Sequence, residues 1–172
     1  MVKRLKISFF IIFLLIGLVL LILSLLFKSK DKKMIEQCSL KTKGKVIKYT
    51  LWNNNGVYFP IVEYIVNDIK YNQRLKYGWV INKSSSFNKM NTEVESDVLG
   101  KNLVIKGNTH ISTNVLKEHF PIGTELDVFY NFENPAKSYV IRFVKNPAVK
   151  VLFFIGLFFI ILAFIGLLIL PK

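Results

Sequence analysis

Few side chains in this 172-residue sequence are of types that do chemistry. Cys38, His110 and His119 are the soft-metal ligand types, yet their separations match no zinc-site spacing, so they read as three unrelated residues. Glu63 stands inside the apolar run Ile61-Val62-Glu63-Tyr64-Ile65-Val66. Buried there, its carboxyl would titrate high and serve as a general base; strand alternation points it outward instead. Ser84-Ser85-Ser86 lacks the Gly-x-Ser-x-Gly context of a nucleophile elbow and reads as a loop. Gly44 and Gly56 are spaced for strands and turns rather than for a phosphate-cradling loop. The expectation is a non-enzyme with no catalytic, cofactor-binding or metal-ligating residue.

The elements that position these residues are dominated by two apolar runs. Residues 7–27 hold no charge, and residues 149–170 hold only Lys150 near their start. Each rises about 30 Å as a helix, the thickness of a bilayer's hydrocarbon core. In lipid the backbone must satisfy itself, so both are expected to be transmembrane helices. The first is too long for a signal-peptide core, and no small-x-small cleavage site follows it. Ile35-Glu36-Gln37 before Cys38 are too large and polar for a lipidated cysteine.

The sequence predicts a basic tail at 1–6, a span at 7–27, a charged linker at 28–37, a β domain at 38–145, a second span at 149–170 and a tail at 171–172. Between the first run and the C-terminal tail, counting Lys150, lie 20 of the 24 Lys and Arg and all 11 acids, a net +9. A basic segment beside a bilayer points to anionic headgroups. The lysines are scattered without a stripe of interleaved aromatics, which argues against nucleic acid. The single cysteine excludes an internal disulfide.

Within the middle segment, residues 41–52 read as a strand, with Gly44 marking a bulge or a close backbone approach. Asn53-Asn54-Asn55-Gly56 is a turn cluster. Residues 57–66 and 69–75 flank Asn67-Asp68 as a tight hairpin, with Pro60 at a strand start or on an edge. Residues 84–120 are the least legible: a strand near 99–105, a helical turn at 115–120, and overall an extra hairpin or a mobile insertion at 80–118. Residues 125–130 alternate as a half-buried strand, 131–135 form a turn, and 138–143 return. The expected fold is thus two transmembrane helices flanking a small antiparallel β domain, sandwich or barrel-like.

Three motifs carry a family resemblance: Gly44-Lys45-Val46-Ile47, then Tyr58-Phe59-Pro60-Ile61-Val62-Glu63-Tyr64, and Pro121 to Asn131 with Asn134-Pro135-Ala136. In these the chain resembles the bacterial membrane proteins grouped as domain of unknown function 3592. The resemblance implies a small β domain flanked by membrane helices and brings no activity with it. It does not cover residues 80–118, and Asn131-Phe132 replaces the Asp-Pro usual in that turn.

Two function classes follow. The first is a membrane-anchored binding module that contacts a membrane-proximal protein or lipid headgroups, with Tyr58, Pro60, Tyr64 and Trp79 as candidate interface residues. The second is a small accessory or immunity-type protein assembling through its spans, where Gly17, Gly156, Ala163 and Gly166 let helices pack closely, with each other or with a partner. Flanking charges conflict over sidedness and, counted near the membrane, lean to a cytoplasmic domain; the length of the middle segment favours instead both termini inside and the domain on the extracytoplasmic side of the cell membrane.

Overall fold

The computed structural model describes residues 2–51, 57–83, 85–87, 93–107 and 115–169. The chain divides into a helical unit, Met1–Lys33 with Asn146–Lys172, and a β unit, Met34–Lys145.

In the helical unit, α1 (Val2–Gln37) pairs antiparallel with α3 (Ala148–Ile169). At 36 residues α1 rises about 54 Å, so the charged stretch after residue 27 continues the helix beyond a hydrocarbon core. Asn146 caps α3, its Oδ1 accepting from Ala148 N at 3.0 Å. The two helices touch along small residues. A Cβ on Gly17 would lie 2.8 Å from Gly156 O and 2.6 Å from Ile160 Cγ1. Phe10 meets Phe164 edge-on and Phe13 packs on Phe159, while Ser24 Oγ donates to Val149 O at 2.8 Å. The glycines named from sequence therefore serve the pair itself.

Away from that seam the helices are bare. Leu15, Val19, Ile22, Leu25, Phe154 and Phe158 are all exposed. Only 11% of each helix's most apolar stretch is buried, whereas a soluble core helix would be covered on most sides. Both helices are long and apolar enough to cross a membrane.

In the β unit a five-stranded antiparallel sheet runs β3-β2-β1-β7-β8, from β1 (Leu40–Tyr49), β2 (Pro60–Val66), β3 (Ile69–Arg74), β7 (Glu125–Tyr130) and β8 (Ser138–Val140). It curls into a half-barrel. Alternation sends Val46, Val62, Tyr64, Leu126, Val128 and Val140 inward. The outer face carries a charge ladder: Lys41 and Lys43 hold Asp127 at 2.9 and 2.7 Å, and Lys45 lies 3.7 Å from Glu125. Asn67 and Asp68, at φ 50° and 61°, make the tight turn between β2 and β3 with both residues left-handed, as their types allow. Pro60 opens β2, where its missing N–H is tolerated.

Several expectations change. Gly44 marks a close approach and no bulge; the register shift falls between Val46 and Lys48. The returning strand ends at Val140 rather than 143, because Ile141 sits at φ 62° and turns the chain away. The described part of residues 80–118 forms a second sheet, β4-β6-β5, from β4 (Val80–Asn82), β5 (Glu93–Val94) and β6 (Leu103–Lys106). Its β4–β6 pair is parallel, so it is not a simple hairpin. With α2 (Val115–His119) it supplies Leu103, Ile105, Val115 and Leu116 to the common core. The Asn53-Gly56 turn lies outside the described residues, as does His110.

Candidate functional site

A half-barrel leaves two sheet edges, and exposed edges invite unwanted pairing. Here β3 and β8 approach each other without a backbone ladder, and side chains bridge them. Gln73 Nε2, on β3, donates to Ser138 O on β8 at 2.6 Å and to Ser138 Oγ at 3.1 Å. The buried Tyr64 hydroxyl lies 2.5 Å from Pro135 O and 2.8 Å from Ser138 Oγ. Burial raises the Tyr64 pKa above its ordinary value, so this phenol stays a neutral donor.

Beside the seam lies a cleft of about 40 Å³ lined in part by Gln73, Arg74, Lys76, Ser138 and Arg142. The two edges deliver its cations: Arg74 ends β3, and Arg142 follows β8 across the left-handed Ile141. Among the described residues, no acidic side chain lines it. The three guanidinium nitrogens of Arg142 are buried and have no hydrogen-bond partner among the described residues. Desolvating an unpaired cation costs several kcal/mol. What offsets part of that is Tyr77, whose ring lies 4.8 Å below the guanidinium carbon. A desolvated cation–π contact contributes about 2 kcal/mol.

Tyr77 itself donates to Val98 O at 2.7 Å. Burial pushes its pKa up to about 12, with the Arg142 charge pulling the other way. The unfolded phenol ionises near 10, so above that pH the unfolded chain releases its proton first and stability falls until about pH 12. Tyr77→Phe is expected to flatten this alkaline loss by about one proton's worth, measured as the pH dependence of the denaturant midpoint. Burial also raises Tyr49, Tyr64 and Tyr139, so a slope remains. An unchanged slope in the variant would contradict the assignment.

The residues singled out from sequence disperse. Cys38 is buried at the start of the β unit, its thiol 3.3 Å from Lys137 O and its pKa raised by burial. His119 is exposed on α2. Among the described residues no three His, Cys, Asp or Glu side chains could share a metal ion. Glu63 faces outward and meets Lys70 at 3.3 Å. Of the four candidate interface residues, Pro60 and Tyr64 are core and Tyr58 is half-buried; Trp79 alone is exposed, at 59%. Sequence reading missed Arg142, Arg74 and Lys76 as a group. Arg74 and Lys76 are near neighbours, but Arg142 stands far from both in the chain, and only sheet curling joins it to them.

No protein-family model, curated protein or solved structure matches the chain.

Proposed function

We propose that the chain is a non-enzymatic, membrane-anchored binding module, whose β unit engages a membrane-proximal protein or lipid headgroups. One observation carries this reading: two helices with bare apolar surfaces flank a folded unit that concentrates three cations in one cleft. Tethering at both ends raises the effective concentration of anything at the bilayer surface. The basic balance of the segment adds attraction to anionic headgroups. Because α1 and α3 run antiparallel, both tails share one side of the membrane in this reading, and the extracytoplasmic side is proposed for the β unit. Kinship with domain of unknown function 3592 belongs to the same proposal. Its support is that the motif segments contain all of β7, most of β2 and part of β1.

The accessory-protein reading keeps one supporting observation, the exposed aromatic face of α3 at Phe154 and Phe158. Photocrosslinking separates the two. A photoreactive side chain at Trp79 in carbonate-washed membranes is expected to trap lipid or a membrane protein. If only the same probe at Phe158 traps a discrete protein, the accessory reading replaces the binding module. Loss of the chain in the carbonate wash would end both.

A further inference from the structure

We propose that one end of the β unit docks on anionic lipid, with exposed apolar loops and cations resting on the interface of the membrane that holds the spans. This rests on the binding-module reading and commits it to a lipid surface. The sheet has two ends. At one, the turns at 67–68 and 131–135 lie level with Leu40, where β1 begins. At the other, β1 finishes at Tyr49 and β3 at Arg74, while β2 starts at Pro60 and β7 at Glu125. Both ends expose apolar side chains, Ile69 and Phe132 at the first, Leu51 and Ile122 at the second. Exposure alone does not choose between them, and two other observations do.

The first is where the chain leaves the unit. The Cys38 thiol lies 3.3 Å from Lys137 O, level with the start of β1. Met34, one helical turn earlier, lines the cleft with Arg74, Phe143 and Val144. Traced outward, both links to the helical unit therefore run toward the Tyr49 end. The ten residues of β1 cover about 33 Å, whereas the helical stretch from residue 28 to Gln37 rises only about 15 Å. The far end of β1 is long enough to come back to the bilayer surface.

Charge is the second observation. Lys48, Arg74 and Lys76 are exposed at the Tyr49 end. Gly78 N donates to Lys101 O at 2.8 Å, which brings exposed Lys101 beside Trp79, a side-chain type that concentrates at membrane–water interfaces. Of the acids there, Glu125 faces Lys45 at 3.7 Å and Asp97 accepts from Leu99 N at 2.9 Å. Glu118 has Lys117 next to it on α2. The turns at the opposite end carry exposed Asp68 and Glu133 against one cation, Lys137. An anionic surface attracts the first set and not the second. Leu51, 91% exposed in the fold, gains burial at the headgroup–acyl boundary.

The test uses the purified full chain in nanodiscs of phosphatidylcholine with phosphatidylglycerol. A photoreactive side chain replaces Leu51, Ile122, Ile69 or Phe132, one per variant, and mass spectrometry counts lipid adducts. Leu51 and Ile122 are expected to label several-fold more than Ile69 and Phe132. Lys48→Gln, Arg74→Gln and Lys76→Gln together should cut the Leu51 adducts by about fivefold or more, since one basic side chain at an anionic surface is worth about that factor. Equal labelling at the two ends, or labelling at the Ile69 end alone, overturns the proposal. A triple variant that labels like wild type overturns it too. Should the probe at Leu51 unfold the unit, Ile122 decides. A discrete protein trapped from Leu51 in carbonate-washed membranes, in place of lipid, replaces the lipid surface with a protein partner. Failed labelling in nanodiscs with a protein still trapped from Trp79 removes lipid docking and leaves the binding module. Loss of the chain in the carbonate wash removes both.

Discussion

Gly44→Val is expected to destabilise the β unit strongly. Gly44 is in β1, the middle strand of the sheet, paired with Tyr64 on one side and Leu126 on the other. A Cβ there would lie 2.6 Å from Val62 Cγ1, 2.8 Å from Glu63 O and 3.1 Å from Tyr64 Cβ. The Glu63 oxygen is backbone within a paired strand, so it cannot swing aside. Val62 is fully buried and has no vacant rotamer space to enter. Overpacking a well-filled core costs about 1–3 kcal/mol, more when backbone must move, against a total stability of about 5–15 kcal/mol for a domain. Gly44→Ala carries the same first clash without the extra methyls and should fall between wild type and valine. The order wild type, alanine, valine is read from thermal melts in detergent. A valine variant that melts like wild type would mean β1 and β2 are not paired in this register.

Tyr64→Ala is expected to cost about 3–5 kcal/mol, and Tyr64→Phe about 1–2 kcal/mol. The difference separates packing from the seam. The ring is 2% exposed and stacks on Tyr71 at 5.6 Å between centroids, so truncation opens a cavity at the centre of the curl. Phenylalanine keeps the ring and removes only the hydroxyl that holds Pro135 O and Ser138 Oγ. Ser138 retains Gln73, whereas Pro135 O loses a buried partner. Denaturant titration of both variants gives the two costs. If phenylalanine were as damaging as alanine, the hydroxyl network and not the ring would hold β2 against β8.

What the residues alone revealed follows the distance over which their interactions act. Two apolar runs report their own solvent, since an apolar stretch of bilayer length exposes its preference without reference to any other segment. The Asn67-Asp68 turn, Pro60 at a strand start and the alternation of residues 125–130 are legible for the same local reason. Gly44 was readable as a close approach, but the partner that makes it close, Val62, belongs to another strand.

The second sheet lay beyond such reading. Its parallel β4–β6 pair joins residues far apart in sequence, and each strand is only two to four residues long, too short to show a period. Cys38, Glu63 and His119 attracted notice by chemical type, and the fold gave each an ordinary place: a buried thiol, a surface ion pair, an exposed imidazole.

Sequence by itself determined that two helices suited to lipid flank a basic, strand-rich segment, because hydrophobic length and alternation are properties of consecutive residues. Only the tertiary structure decided that β3 and β8 meet and that Arg74, Lys76 and Arg142 line one cleft. The curl of a five-stranded sheet sets those distances, and it emerges from packing summed over all its strands.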